Sequence, residues 1–403
     1  SLYFFVFKNT MSLQKPTDCF SVNKKFWKVL GIHPSVKSKF YSWYSKIIVL
    51  VFIIIYDILT TINFFYLPRD LDHFIEEMIF FFTKLSVMSK VLTYMLMQHK
   101  ITEMFDVLDS DMFQPATEKG IQFIGKAIKF NVKYWKIVAI VSYFSHLIHI
   151  LSPFLAHLFL KVPLVLPVCS YSFLTESIKE MFIYPLYLYQ SVGMHMSMLY
   201  NVNIDTFFLG LMVFAIAQLE VLEDNLSSIA NVSHQKGGTD YESIELRYIM
   251  ELNKSVIHFR EVTKFCALIE EVFSVTLFVQ FSVASCVICV CLFRFTLPAP
   301  VQYYMFLATY LFIMTLQIAV PCFFGTRIMT KSCLLSQAIY DCDWTPRCRR
   351  FKSTMRLLVE RANRPLSVTG WKMFPLSLNT FTSIMNSAYS FFTLLRYMQT
   401  REH

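Results

Sequence analysis

The chain has 403 residues, of which 55% are hydrophobic and 17% aromatic (41 Phe among them), while only 16% are charged. A soluble domain of this length does not need that much apolar surface, which argues against an ordinary globular enzyme and points to a polytopic membrane protein. The net charge of +9 is not a nucleic-acid signal, because the excess falls in connections between apolar stretches, beside anionic lipid headgroups.

In chain order, the opening Ser1-Leu2-Tyr3-Phe4-Phe5-Val6-Phe7 is apolar but short and lacks a basic n-region. No cleavable signal peptide is expected, and Met11 is a candidate start. Seven apolar stretches follow: Tyr44–Leu67, Phe74–Met97, Tyr134–Phe159, Met181–Tyr200, Phe265–Phe293, Tyr303–Gly325 and Phe374–Met398. Each is about 20 residues or longer, enough to span hydrocarbon. The segment up to Lys46 and the connections 98–136, 219–264 and 326–373 hold 29 of the 37 Lys and Arg, and the opposite side holds six. Basic residues near span ends stay in the cytoplasm. An all-α protein with a cytoplasmic N-terminus and an extracellular C-terminus is therefore expected, the reverse of a G-protein-coupled receptor. A secondary transporter is disfavoured, since no paired broken helices appear.

Cys169 is the only cysteine on the outer side. The others lie in spans or face the reducing cytosol, so no disulfide framework is expected, and Cys342 and Cys348 read as unpaired thiols. The sequons Asn231-Val232-Ser233 and Asn253-Lys254-Ser255 fall inside and should be unmodified. The inner connections are long and helical in pattern. Leu219, Leu222, Leu226 and Ile229 recur at helical spacing opposite Glu220, Glu223 and Asp224, which extends the fourth span far beyond the bilayer. After a turn at Lys236-Gly237-Gly238, a second amphipathic helix rises from about Tyr241 into the fifth span. The sixth continues towards Ala338 and Tyr340, and Phe351–Ala362 forms a further amphipathic stretch before Pro365. Apolar faces outside the membrane imply burial within the chain or on neighbouring subunits.

Asp57, Lys84, Lys90, Glu270 and Glu271 are costly in hydrocarbon. The expectation is that Lys84 and Lys90 pair with the glutamates or snorkel to an interface. His146 and His149 read as satisfied core residues, not a metal site. No phosphate loop, His-Glu-x-x-His or nucleophile elbow occurs, so neither catalysis nor a cofactor is expected. The last span mixes Ser377, Asn379, Thr380, Thr382, Ser383, Asn386, Ser387, Ser390 and Thr393 with Phe and Leu. Such a helix lines water or packs on other helices.

The final 70 residues resemble the insect odorant receptor family. The residues that carry the likeness are Ala338, Tyr340 and Trp344; Arg364-Pro365; the run Gly370-Trp371-Lys372-Met373-Phe374-Pro375-Leu376-Ser377-Leu378-Asn379-Thr380-Phe381; and Ser387-Ala388-Tyr389-Ser390-Phe391-Phe392-Thr393-Leu394-Leu395. Phe26-Trp27, Leu30-Gly31-Ile32-His33-Pro34, Tyr184-Pro185, Gln190 and Asp205-Thr206 fit as well. Gustatory receptors and the odorant co-receptor differ at the C-terminus, where this chain has Ser390-Phe391 and Tyr397-Met398.

The resemblance implies one receptor domain over 1–403, with a cytoplasmic segment at 1–43, spans at 44–325, helical extensions at 201–264, an anchor segment at 326–373 and a pore helix at 374–398. It implies a ligand-tuned subunit that works with the co-receptor in a heterotetrameric, non-selective cation channel in the plasma membrane of olfactory neuron dendrites. A gustatory-type or homomeric channel is the alternative. The implied gate lies at Leu394 and Met398, with Ser390 one turn below and Tyr397 beside it; a ring of apolar side chains blocks ions by dewetting. The implied pocket for a small apolar volatile lies in the outer half between spans two, three, four and six. Its candidates are Phe74, Met78, Phe81 and Phe82; Tyr143, Phe144, Leu147 and Ile150; Tyr184, Tyr187 and Gln190; and Tyr303, Phe306, Leu307 and Tyr310. Aromatics offer contact area for dispersion, and a Tyr hydroxyl can orient a ligand oxygen.

Overall fold

Hydrocarbon offers backbone amides no partner but one another, so a chain this apolar folds as helices. In the computed structural model, the described residues are 15–34, 38–67, 71–229, 241–298, 301–342 and 344–402, apart from a few side chains within them. The start with Met11, the sequon at Asn231 and the turn at Lys236-Gly237-Gly238 lie outside the described residues. The elements are α1 (Ser21–Val29), α2 (Lys39–Phe65), α3 (Leu71–Leu96), α4 (Gln98–Leu108), α5 (Glu118–Leu160), α6 (Glu176–Ile229), α7 (Tyr241–Arg294), α8 (Val301–Tyr340) and α9 (Arg349–Ala362). A short hairpin, β1 (Thr369–Gly370) and β2 (Phe374–Pro375), leads into α10 (Leu378–Glu402).

Six of these helices, α2, α3 and α5 to α8, are long and apolar enough to cross a membrane. The seventh, α10, has the length at 25 residues, but its Ser, Thr and Asn content dilutes its hydropathy. Together they make a seven-helix membrane fold. Two boundaries differ from expectation. The third span is the C-terminal part of a helix that starts at Glu118, where the Thr117 side chain accepts from the Gly120 amide and caps it. The last span starts at Leu378 and not at Phe374, because Phe374 and Pro375 pair with Gly370 and Thr369 as strand.

The central helix is α6. Its 54 residues reach about 80 Å, and Ile204, Phe207, Leu211, Phe214, Leu219 and Leu222 are all buried. Pro185 clashes with the carbonyl one turn earlier, which accounts for the non-helical backbone at Phe182. Around the lower half of α6, the N-terminal segment inserts its aromatic residues. Trp27 sits edge-on to Phe207 at 4.8 Å and 5.0 Å from Tyr94, and Phe20 is 5.1 Å from Phe207. The Asn23 amide donates to the Asn203 carbonyl and to Thr206 Oγ1, both at 3.0 Å. Beyond the apolar part, α6 to α9 continue as a bundle packed through Leu226, Tyr248, Leu252, Leu335, Phe351 and Leu358, all buried.

Within that bundle the Gln218 amide donates to the Phe113 carbonyl at 2.8 Å, and its oxygen pairs with His258 Nε2 at 2.9 Å. Burial, reinforced by Lys254, pushes the His258 pKa down to about 4 from 6.5. The folded ring therefore stays neutral where the unfolded ring takes a proton, and stability falls with pH below about 6.5 and down to about 4. Acidification from pH 7 to pH 5 should remove about 2 kcal/mol through this ring. Thermal melting of the purified receptor should show a larger acid-induced drop in the native chain than in His258→Gln.

Candidate ligand chamber and pore helix

Where the spans converge, the ionisable residues do not pair as the sequence suggests. Lys90, fully buried, donates to Asn201 Oδ1 at 2.6 Å and is bridged to Asp205 at 2.6 Å. Gln317 Nε2 donates to the same carboxylate at 3.1 Å. Asn201 and Asp205 lie one turn apart on α6, so both face the lysine on α3. Lys84 donates to Ser197 Oγ at 2.7 Å and rests 3.9 Å above the Tyr56 ring; Gly193 admits that ring, since a Cβ there would meet it. Neither lysine pairs with the glutamates. Glu271 pairs with Lys100 instead, and Glu270 accepts from the Thr369 hydroxyl. Beside the Lys90 network, Thr83, Ser86, Asn201, Gln280 and Gln317 line a cavity with room for a single water molecule.

The predicted pocket residues divide into two sets. Phe81 stacks on Phe64 at 5.1 Å and meets Phe82 edge-on at 5.7 Å. Met78 and Phe82 are half-buried and Leu307 is fully buried. The Tyr310 hydroxyl hydrogen-bonds to Thr83, which ties α8 to α3. Tyr187 is buried, and its hydroxyl donates to the Ile150 carbonyl at 2.5 Å. Phe144 and Tyr184, by contrast, lie on the outside of the chain at 63% and 59% exposure, and Tyr143 and Leu147 are also exposed. The side chains of Tyr303 and Phe306 lie outside the described residues.

On α5 the inward residue is His146, which the sequence reading takes as a satisfied core histidine. It is buried against the His195 ring at 5.0 Å, but its Nδ1 has no hydrogen-bond partner. His149 does find one, with Nε2 2.8 Å from the Pro167 carbonyl. Gln190 is committed elsewhere. It accepts from the Val168 amide at 3.0 Å and donates to the Cys169 carbonyl at 2.8 Å, fastening the connection between α5 and α6 onto the bundle. Glu77 and Asn63 do the same at the next residues. The Ser170 amide donates to Glu77 at 3.1 Å, and the Ser172 amide to Asn63 at 2.6 Å. Periodicity alone does not show these partners, because they depend on which loop folds over which helix.

The hairpin before α10 turns on Trp371 and Lys372, both with positive φ (46° and 56°), and the Met373 amide bonds back to the Gly370 carbonyl at 2.9 Å. Tight hairpin turns require this backbone, which non-glycine residues adopt only when their surroundings enforce it. Here the Trp371 amide donates to the Ser274 carbonyl at 3.1 Å, and its ring packs on Phe278 at 4.9 Å. On the other flank, Gly325 of α8 leaves no room for a Cβ against the Leu376 carbonyl. Thr326 Oγ1 accepts from the Leu378 amide at 2.9 Å and caps α10.

α10 touches the bundle through Phe381, Ile384, Met385 and the buried Ala388. Its other face carries Asn379, Thr382, Ser383, Asn386, Ser387 and Ser390 along an open groove that ends at Phe391 and Leu394. Ser390, Leu394 and Met398 succeed one another at one-turn spacing, and Leu394, Tyr397 and Met398 are each more than half exposed. Among the described residues no group of three His, Cys, Asp or Glu side chains is placed to hold a metal ion.

A seven-helix membrane protein with an exposed polar stripe on its last helix is thus the class that the fold defines. Residues 70–389 match the family profile of the 7tm odorant receptors, and the chain belongs to that family. It is similar to Odorant receptor 2a of Drosophila melanogaster, 27% identical over 52% of this chain and 53% of that protein. The chain spans about half the length of the first curated relatives it matches. With Odorant receptor 67a of the same fly it is 22% identical over 93% of this chain and 94% of that one. In fold it is similar to the insect olfactory receptor OR5 from Machilis hrabei, solved in complex with eugenol. The TM-score is 0.78 at 17% identity, covering 94% of this chain and 98% of that one. The family is one of chemoreceptors, not enzymes.

The Lys90–Asp205 pair should contribute strongly to stability where α3, α6 and α8 meet. Lys90→Met leaves a carboxylate among apolar helices and should cost about 3–5 kcal/mol. Combining it with Asp205→Asn should recover most of that loss. Melting curves of the detergent-purified single and double variants check both.

Proposed function

We propose that this chain is the odorant-binding subunit of a ligand-gated, non-selective cation channel, assembled with the odorant co-receptor as a heterotetramer. The observation that carries this reading is the polar stripe of α10. Six Ser, Thr and Asn side chains facing lipid would be costly, whereas facing a shared water-filled axis they are solvated. Leu394 and Met398, at the end of that stripe, then form an apolar constriction that closes by dewetting. The N-terminus is cytoplasmic and the C-terminus extracellular, following the lysine and arginine distribution. The protein resides in the plasma membrane of olfactory neuron dendrites.

The ligand is a small, largely apolar volatile held in the outer half of the bundle among Met78, Phe81, Phe82, Tyr187, Leu307 and Tyr310. Tyr143, Phe144, Leu147, Tyr184, Tyr303 and Phe306 complete the proposed lining. Tyr310 is bonded to Thr83, so a ligand oxygen that competes for that hydroxyl would loosen α3 from α8.

The test is co-expression with the co-receptor against a panel of acids, esters, alcohols, ketones and long-chain volatiles. Odorant-evoked current should persist without GTP, and a C-terminal epitope should stain on intact cells; silence across the panel, or staining only after permeabilisation, refutes the reading. Leu394→Ala widens the constriction and should raise basal leak several-fold. Patch recordings with unchanged leak and unchanged gating would remove Leu394 from the gate.

A further inference from the structure

Both lysines of α3 are buried, but they are not matched alike. Lys90 is bridged to Asp205 and bonded to Asn201. No carboxylate of the described residues bridges Lys84. Its ammonium has three N–H groups. One goes to Ser197 Oγ, whose own proton goes to the Gly193 carbonyl, and the charge rests over the Tyr56 ring. Asp57, beside Tyr56 on α2, acts on it at longer range without bridging it. An ammonium among apolar helices is costly without a close counter-charge, and this one lacks it.

His146 stands opposite. α5 runs against α6, with His157 meeting Tyr184 and Trp135 meeting Asn203, while α3 runs alongside α6. α3 and α5 are thus antiparallel, and Phe80 meets the His149 ring at 5.8 Å. One turn onward along α3 is Lys84 and one turn back along α5 is His146, so both reach the same level. His146 is more than nine-tenths buried, and its Nδ1 has no hydrogen-bond partner. The level adjoins the proposed ligand lining. Phe81 precedes Lys84 by one turn, and Tyr187 bonds to the Ile150 carbonyl, one turn from His146.

We infer that Lys84 and His146 form the headgroup site for a small organic carboxylate, with its apolar tail among Phe81, Phe82 and Tyr187. The inference rests on the proposed ligand chamber and deepens it by naming the chemical class of the ligand. A neutral carbonyl or hydroxyl satisfies hydrogen bonds but leaves the ammonium without a counter-charge. A carboxylate supplies the charge and two acceptor oxygens, one for Lys84 Nζ and one for the His146 ring N–H. A metal ion is the wrong occupant, because the ammonium repels it and histidine alone supplies too few ligands. The aromatic side chains around the site favour an anion that carries a tail over a bare inorganic one.

The test records current at pH 7 from cells expressing the receptor with the co-receptor. The probes are straight-chain acids from butanoic to decanoic, with the matching methyl esters and alcohols. The acids are ionised there, since carboxyls titrate at about 4. The best acid should act at a concentration at least about tenfold below its ester, as a charge-assisted contact implies. Lys84→Met should erase that preference, and His146→Phe should reduce it. Binding is read separately, as the rise in melting temperature of the detergent-purified receptor with acid, ester or sodium chloride. The acid should stabilise the native chain more than the ester does and lose that advantage in Lys84→Met. If Lys84→Met does not fold, His146→Phe carries both readouts. A preference for acids that survives the substitutions overturns the inference. So does equal stabilisation by chloride, which makes the occupant an inorganic ion. Current evoked by esters and alcohols, with neither current nor stabilisation from any acid, sinks the carboxylate site and leaves the channel reading. Stabilisation by an acid that Lys84→Met abolishes, in a receptor that no odorant opens, keeps the carboxylate site and sinks the channel reading.

Discussion

The interior of a bilayer holds no water, so every polar group at that depth needs a partner in protein or in an enclosed aqueous space. Most of this molecule follows from how that demand is met. Lys90, Asn201, Asp205 and Gln317 satisfy one another across α3, α6 and α8, and Glu77 and Asn63 take up amides of the connection between α5 and α6. These groups order the fold because alternative packings of the spans would leave a charge bare. The stripe of α10 is the opposite case. Its Asn379, Asn386 and Ser390 side chains line an open groove, and the Thr382 and Ser390 hydroxyls donate to carbonyls of their own helix. Among the described residues no other helix lines that groove.

Much of the architecture was legible in the sequence because membrane helices declare themselves by length and apolarity. The inner extensions of α6, α7 and α8 and the amphipathic α9 also fall where helical periodicity puts them. The inner half of α5 escaped, since Lys119, Lys126, Lys129 and Lys133 dress it as a connection while Ile124 and Ile128 hold it in the core. The start of α10 escaped for a different reason. Nothing in Gly370-Trp371-Lys372-Met373 signals a hairpin with two non-glycine residues at positive φ. That turn exists only because α7 and α8 clamp both its sides.

The candidate site was less legible, and the reason is geometric. Periodicity says which residues share a face but not which face points inward. On α5 it groups Tyr143, Phe144 and Leu147 as one aromatic-apolar set, yet the buried member of that turn is His146. Charge partners were harder still. Lys84 and Lys90 looked matched to Glu270 and Glu271 by sign, but the glutamates lie at the middle of α7, where it meets Lys100 and the hairpin. A local clue was Asn201 and Asp205, four residues apart on α6, which is the spacing that puts two ligands for a buried cation on one side.

These placements tie α8 to its neighbours at three levels. Tyr310 bonds it to α3, Gln317 bonds it to Asp205 two turns further on, and Gly325 and Thr326 seat the hairpin and cap α10. All three contacts lie on one uninterrupted helix, Val301–Tyr340, broken in hydrogen bonding only by Pro321. With no Cβ at Gly325, the Leu376 carbonyl sits directly against the α8 backbone, so no soft side chain lies between them to absorb a displacement. Pro321 removes one internal bond between the second and third contacts, so any bending of α8 concentrates there, one turn before the point where it holds α10.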